Sequence, residues 1–133
     1  MTLCILFSTI TDASPNIQVI TNPENHQQNL TFQSLRAIFS MRWKTWENGT
    51  PIQVFVLKDN HELHANFTKQ FIGVFPHQLR KAWDRLVFSG TGQAPVEVNS
   101  LEEMLVKINS TPGAIGYITT DKVDESVKTI LLE

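Results

Sequence analysis

The chain has one cysteine, Cys4, in 133 residues. No internal disulfide can form, and a structural zinc site built on several thiolates is excluded. An excess of one charge is missing too: Lys and Arg number 11, Asp and Glu 13, and the net charge is -2. With no basic surplus there is no global field to hold nucleic acid by counterion release. The apolar runs fall far short of the roughly 20 residues that a membrane span needs. Signatures of catalysis are also absent. There is no HExxH, no Walker lysine, no GxGxxG, no GxSxG elbow and no paired-carboxylate motif, so no enzyme, no cofactor and no metal is expected.

What remains is the composition of an ordinary folded domain, with 41% hydrophobic residues and six glycines. A chain of this length makes one domain of the usual roughly 100–150 residues, and it buries about two-thirds of the surface that its unfolded form exposes. Residues 1–13, MTLCILFSTITDA, have a short apolar centre followed by small polar residues and read as a clipped signal segment. Residues 14–133 are then the domain.

Strand and helix signals alternate along that domain. Ile17 to Ile20 is a β-rich run closed by Asn22-Pro23. Phe32, Leu35, Ile38 and Phe39 recur at helical spacing behind Thr31 as cap. Met41 to Pro51 reads as a loop with an Asn48-Gly49 turn, and Ile52 to Leu57 as a strand covered on both faces. Asp59 to Glu62 has capping-box spacing with Asp59 in the cap position, and Leu63, Phe67 and Phe71 follow up to Gly73. Pro76 sits at a first helical position ahead of the Leu79, Ala82, Trp83 and Leu86 stripe, which Gly90 ends. Ser100 and Glu103 make a capping box for the Leu101, Met104, Leu105 and Ile108 stripe, stopped by Pro112-Gly113. Ile115 to Ile118 and Val127 to Leu132 read as the last strands. Interleaved strands and helices predict an α/β three-layer domain.

Four blocks in this order carry a resemblance: Leu35-Arg36-x-Ile38-Phe39, then Trp46-x-Asn48-Gly49-x-Pro51-Ile52, then Trp83-x-x-Leu86-Val87-Phe88-x-Gly90, then Thr111 to Ile118, TPGAIGYI. Together they resemble the substrate-binding proteins of phosphate ABC transporters, and most of all their short, single-lobe, phosphate-binding-like relatives. The resemblance implies a bacterial, exported, periplasmic protein, a single lobe like one domain of a type 2 periplasmic binding protein, and a phosphate-like oxyanion as ligand. In the two-lobe receptors the strand matching Ile52–Leu57 leads into a loop rich in Arg, Gly, Ser and Thr. Here that loop reads Lys58-Asp59-Asn60-His61-Glu62-Leu63-His64. Its helix start favours an anion, whereas Asp59 and Glu62 repel one.

The residues expected to hold an oxyanion are Lys58, Asn60 and His61 at that start, with Ser89, Thr91 and Gly92 from the glycine-containing turn. His61 and His64, three apart, can face one way, but two ligands do not make a metal site, and a solvated helix face is the favoured reading. Arg80, Lys81 and Arg85 read as a solvated basic face. Trp43, Trp46 and Trp83 read as anchors of packing, and the sequons at Asn29, Asn48, Asn66 and Asn109 as without consequence in a bacterial protein. One lobe leaves a small anion solvated, so tight capture needs a second copy of the chain or a partner protein. The other reading of the sequence is a periplasmic interaction module that keeps the lobe as a scaffold and binds no ligand.

Overall fold

A computed structural model describes residues 16–133, so the signal-like segment at residues 1–13 lies outside the described residues. In chain order the elements are β1 (Ile17–Thr21), β2 (Asn29–Leu30), α1 (Phe32–Phe39), β3 (Gln53–Leu57), α2 (Glu62–Phe67), α3 (Pro76–Phe88), β4 (Val96–Val98), α4 (Leu101–Ser110), β5 (Ala114–Thr119), β6 (Lys128–Thr129) and β7 (Leu131–Leu132). A π-helical turn, Thr68–Ile72, prolongs α2 as far as Gly73, and a short 3₁₀ turn, Thr120–Lys122, follows β5.

Five strands form one mixed sheet in the order β4-β3-β5-β1-β6. β3 lies parallel to both β4 and β5, while β1 runs antiparallel to β5 and β6. β2 and β7 form a small parallel pair apart from it. The α/β three-layer class is as expected, and alternation along β5 shows why both faces need a cover. A β-carbon on Gly116 would stand 2.7 Å from Met104 Sδ on α4, whereas the next residue, Tyr117, stacks on Phe67 of α2 with ring centroids 4.0 Å apart. α4 therefore packs on one face, and α2 with its neighbours on the other.

Helix ends follow the chemistry of their first residues. The Thr31 side chain accepts from Ser34 N, and the Ser100 side chain accepts from Glu103 N while Glu103 accepts from Asn99 N. Pro76 opens α3 as expected, with Gln78 reaching back to Phe75 N. Two expectations need correction, and one strand carried no expectation at all. β4 gave no signal of its own. The Val127–Leu132 run is two strands, because Ile130 N donates to Val19 on one sheet and Leu131 N to Gln28 beside the other. The α2 cap is His61, whose Nδ1 accepts from Leu63 N, because the Asp59 carboxylate is engaged elsewhere.

Two of the motif blocks meet in space. The Trp46 indole N–H donates to Gly113 O at 3.0 Å, and Gly113 lies at φ 77° with Pro51 O filling the space where a β-carbon would stand. Only glycine fits there. Trp46 and Trp83 are buried, as packing anchors should be, and the Trp83 indole donates to Phe39 O at 2.8 Å.

Candidate functional site at the carboxyl edge of the sheet

In open α/β sheets ligands gather beyond the carboxyl ends of the parallel strands. Here that edge carries the loop after β3, from Lys58 to His61, and the end of β4 at Glu97 and Val98. Asp59 is the hub. The Arg80 guanidinium, on α3, donates to it twice, Nε to Oδ2 and Nη2 to Oδ1, each at 3.0 Å. Arg80 Nη2 also donates to Glu97 Oε1, and its guanidinium carbon stands 5.2 Å from the centre of the Trp83 ring. The Asp59 bond, more than any other contact, holds the guanidinium above its ordinary value, so the cation is permanent.

Behind Asp59 lies a buried relay. His64 is 0% exposed and its Nε2 stands 3.7 Å from Asp59 Oδ1, beyond hydrogen-bond length, with no partner of its own. Its Nδ1 bonds to the Tyr117 hydroxyl, whose oxygen also accepts from Leu57 N at 2.9 Å. The tautomer that satisfies both groups has the phenol donating to Nδ1 and the imidazole proton on Nε2, toward Asp59. Burial pulls the His64 pKa below its ordinary value, against the pull of Asp59 the other way, and burial pushes the Tyr117 phenol up. Both rings are neutral at pH 7. Asp59, Arg80 and Glu97 then leave one net negative charge at this edge, with the Lys58 side chain exposed beside it.

The expected oxyanion residues fall into two groups. Lys58 and Asn60 are exposed at the carboxyl edge, and His61 is half-buried as the α2 cap. Ser89, Thr91 and Gly92 precede β4, which runs parallel to β3, so they lie by the amino end of β3. Lys44, whose carbonyl accepts from Ile52 N just ahead of β3, donates from Nζ to Thr91 O at 2.8 Å. The length of β3 separates the groups, and a single small anion cannot touch both.

Two further expectations are corrected. The solvated face at His61 and His64 does not exist for His64, since the helix turns it into the core beneath Tyr117. Arg80 leaves the solvated basic face to join Asp59 and Glu97, while Lys81 and Arg85 stay exposed beside a shallow hollow of about 450 Å³ with Phe88. Among the described residues no group of three or more His, Cys, Asp and Glu is placed to hold a metal ion. A hollow of about 440 Å³, with Asn22, Glu24, His26 and Trp46 among its lining residues, opens at the amino edge, away from the Asp59 hub.

Residues 15–130 match the model of the PBP superfamily domain, and the chain belongs to that family. Its structure is similar to an ABC-type phosphate transport receptor from Vibrio cholerae, with a TM-score of 0.71 and 21% identity over 89% of this chain and 46% of that one. A structure with bound phosphate from Clostridium perfringens, described as a phosphate ABC transporter substrate-binding protein, gives 0.70 and 20% over 89% and 45%. PstS from Borrelia burgdorferi gives 0.69 and 16% over 90% and 47%. At these identities the likeness is one of fold, and the chain spans slightly less than half of each receptor, as a single lobe would. No curated protein matches the chain. No helix among the described residues is long and apolar enough to cross a membrane.

Proposed function

We infer that this chain is an exported, periplasmic solute-binding lobe, without catalytic activity, that takes phosphate or a similar oxyanion weakly at the carboxyl edge of its sheet through Lys58, Asn60 and His61. The observation that carries this reading is a three-layer lobe of the PBP superfamily, similar in fold to receptors described as binding phosphate, with a lysine and open polar groups on the loop after β3. Weakness follows from the same geometry. The Lys58 ammonium is exposed, so water and salt screen its attraction, and the Asp59 and Glu97 carboxylates repel the incoming charge. An affinity in roughly the millimolar range, about 4 kcal/mol, is the scale for such a site. Tight capture would require an opposing lobe, from a second copy or a partner protein, to exclude the water. Titration calorimetry with inorganic phosphate and sulfate at low ionic strength tests the reading: saturable heat that weakens in Lys58→Ala is expected, and silence up to millimolar ligand overturns it.

A further inference from the structure

We propose that Asp59 is the built-in occupant of an anion notch: its carboxylate holds the Arg80 fork and faces the His64 Nε2–H, the donors an incoming oxyanion would use, and so sets this edge against oxyanions. The inference rests on the oxyanion reading above and names the residue that limits it. A guanidinium fork presents two parallel N–H groups that fit two oxygens of one carboxylate or one phosphate equally well. Asp59 uses both.

The second donor is what marks the place as a notch and not simply an ion pair. His64 is 0% exposed, has no partner at Nε2, and aims that nitrogen at Asp59 from 3.7 Å. Asp59 is tethered in the turn closed by His61 N and Lys58 O, and with Arg80 satisfied its carboxylate stops short of the imidazole. A free tetrahedral oxyanion has no tether, and its third oxygen can close the gap while two others take the fork. Glu97 and the Trp83 ring hold Arg80 from its other sides, so the fork stays in place when Asp59 is removed. The Asp59 side chain is 37% exposed, which leaves a path from solvent to the donors behind it.

Inorganic phosphate, with sulfate in parallel, is titrated into the wild type, Asp59→Asn and the double variant Asp59→Asn/Arg80→Met. Heat is recorded together with the ¹⁵N resonances of the His64 ring, and circular dichroism checks that each variant is folded. Asp59→Asn is expected to bind at least tenfold more tightly than the wild type, to lose that gain in the double variant, and to shift the His64 Nε2 resonance on saturation. A silent wild type beside a binding Asp59→Asn upholds the role of Asp59 and overturns wild-type binding. Equal measurable affinity in the two proteins overturns the occupant assignment and leaves the oxyanion reading standing. Silence of every folded variant overturns both. Asp59→Ser carries the same comparison where Asp59→Asn does not fold.

Discussion

At the amino edge of β3 and β5 the chain is held by groups with no charge to titrate. The Trp46 indole donates to Gly113 O, Gly113 leaves its β-carbon space to Pro51 O, and Asn22 Nδ2 donates to Ile108 O and Asn109 O at the end of α4. A few residues away, at the carboxyl edge, the same strands meet the cluster of Asp59, Arg80, Glu97, His64 and Tyr117, where the contacts are ionic or run through a buried imidazole. Three of the recognisable motif residues, Trp46, Pro51 and Gly113, gather at the first edge, where shape is made. The charged and polar residues of the loop after β3 gather at the second, where the proposed oxyanion site lies. A lobe can thus keep its architecture intact while its chemistry changes, because the two are anchored at opposite ends of the same strands.

The sharpest way to break this contrast is Gly113→Ala. Alanine at φ 77° is strained, and its β-carbon meets the Pro51 carbonyl, a backbone atom that cannot swing aside. A loss of about 3 kcal/mol is expected from urea denaturation, with no change at the carboxyl edge. At the other edge, Tyr117→Phe is the counterpart. It removes one oxygen and leaves both Leu57 N and His64 Nδ1 buried without a partner. A loss of about 2 kcal/mol is expected by the same measurement. Should the two losses come out reversed in size, stability would rest on the polar edge and not on the shaped one.

Legibility follows the same division. The α4 start was readable because Ser100 and Glu103 act within one turn, and Thr31 and Pro76 are equally local signals. The α2 cap misled because Asp59 has cap spacing but spends its carboxylate on Arg80, 21 residues further along. β4 has three residues, two of them exposed, between Pro95 and Asn99, too few to show a period. The hub escaped altogether: Asp59, His64, Arg80, Glu97 and Tyr117 come from different elements, and no spacing along the chain announces their meeting. One signal was available: His64 adjoins Leu63 and precedes Phe67 by three residues, so it shares the helix face that those apolar residues bury.

His64 also gives the contrast a pH dependence. Burial sets its folded pKa below the ordinary value of about 6.5 that the unfolded chain keeps. Between those two values the unfolded state binds more protons, so stability is full above the unfolded pKa and is lost as pH falls toward the folded one. One proton limits the slope to about 1.4 kcal/mol per pH unit. Urea midpoints measured from pH 7 downward are expected to fall, and the fall is expected to diminish in His64→Gln. An unchanged slope in that variant would remove His64 from the account.

The smallest effect is expected from Glu97→Gln. Arg80 and Glu97 are both partly exposed, at 32% and 41%, and an ion pair so open to water contributes less than about 1 kcal/mol. Its stability hardly moves, yet the histidine behind it should respond, because the Glu97 charge favours the protonated imidazole and its removal takes that support away. The His64 titration followed by NMR is therefore expected to shift further down in Glu97→Gln while the urea midpoint at pH 7 stays nearly constant. A large loss of stability with no change in the titration would mean that Glu97 holds α3 in place by packing, and that Arg80 does not need it to keep the fork aimed at Asp59.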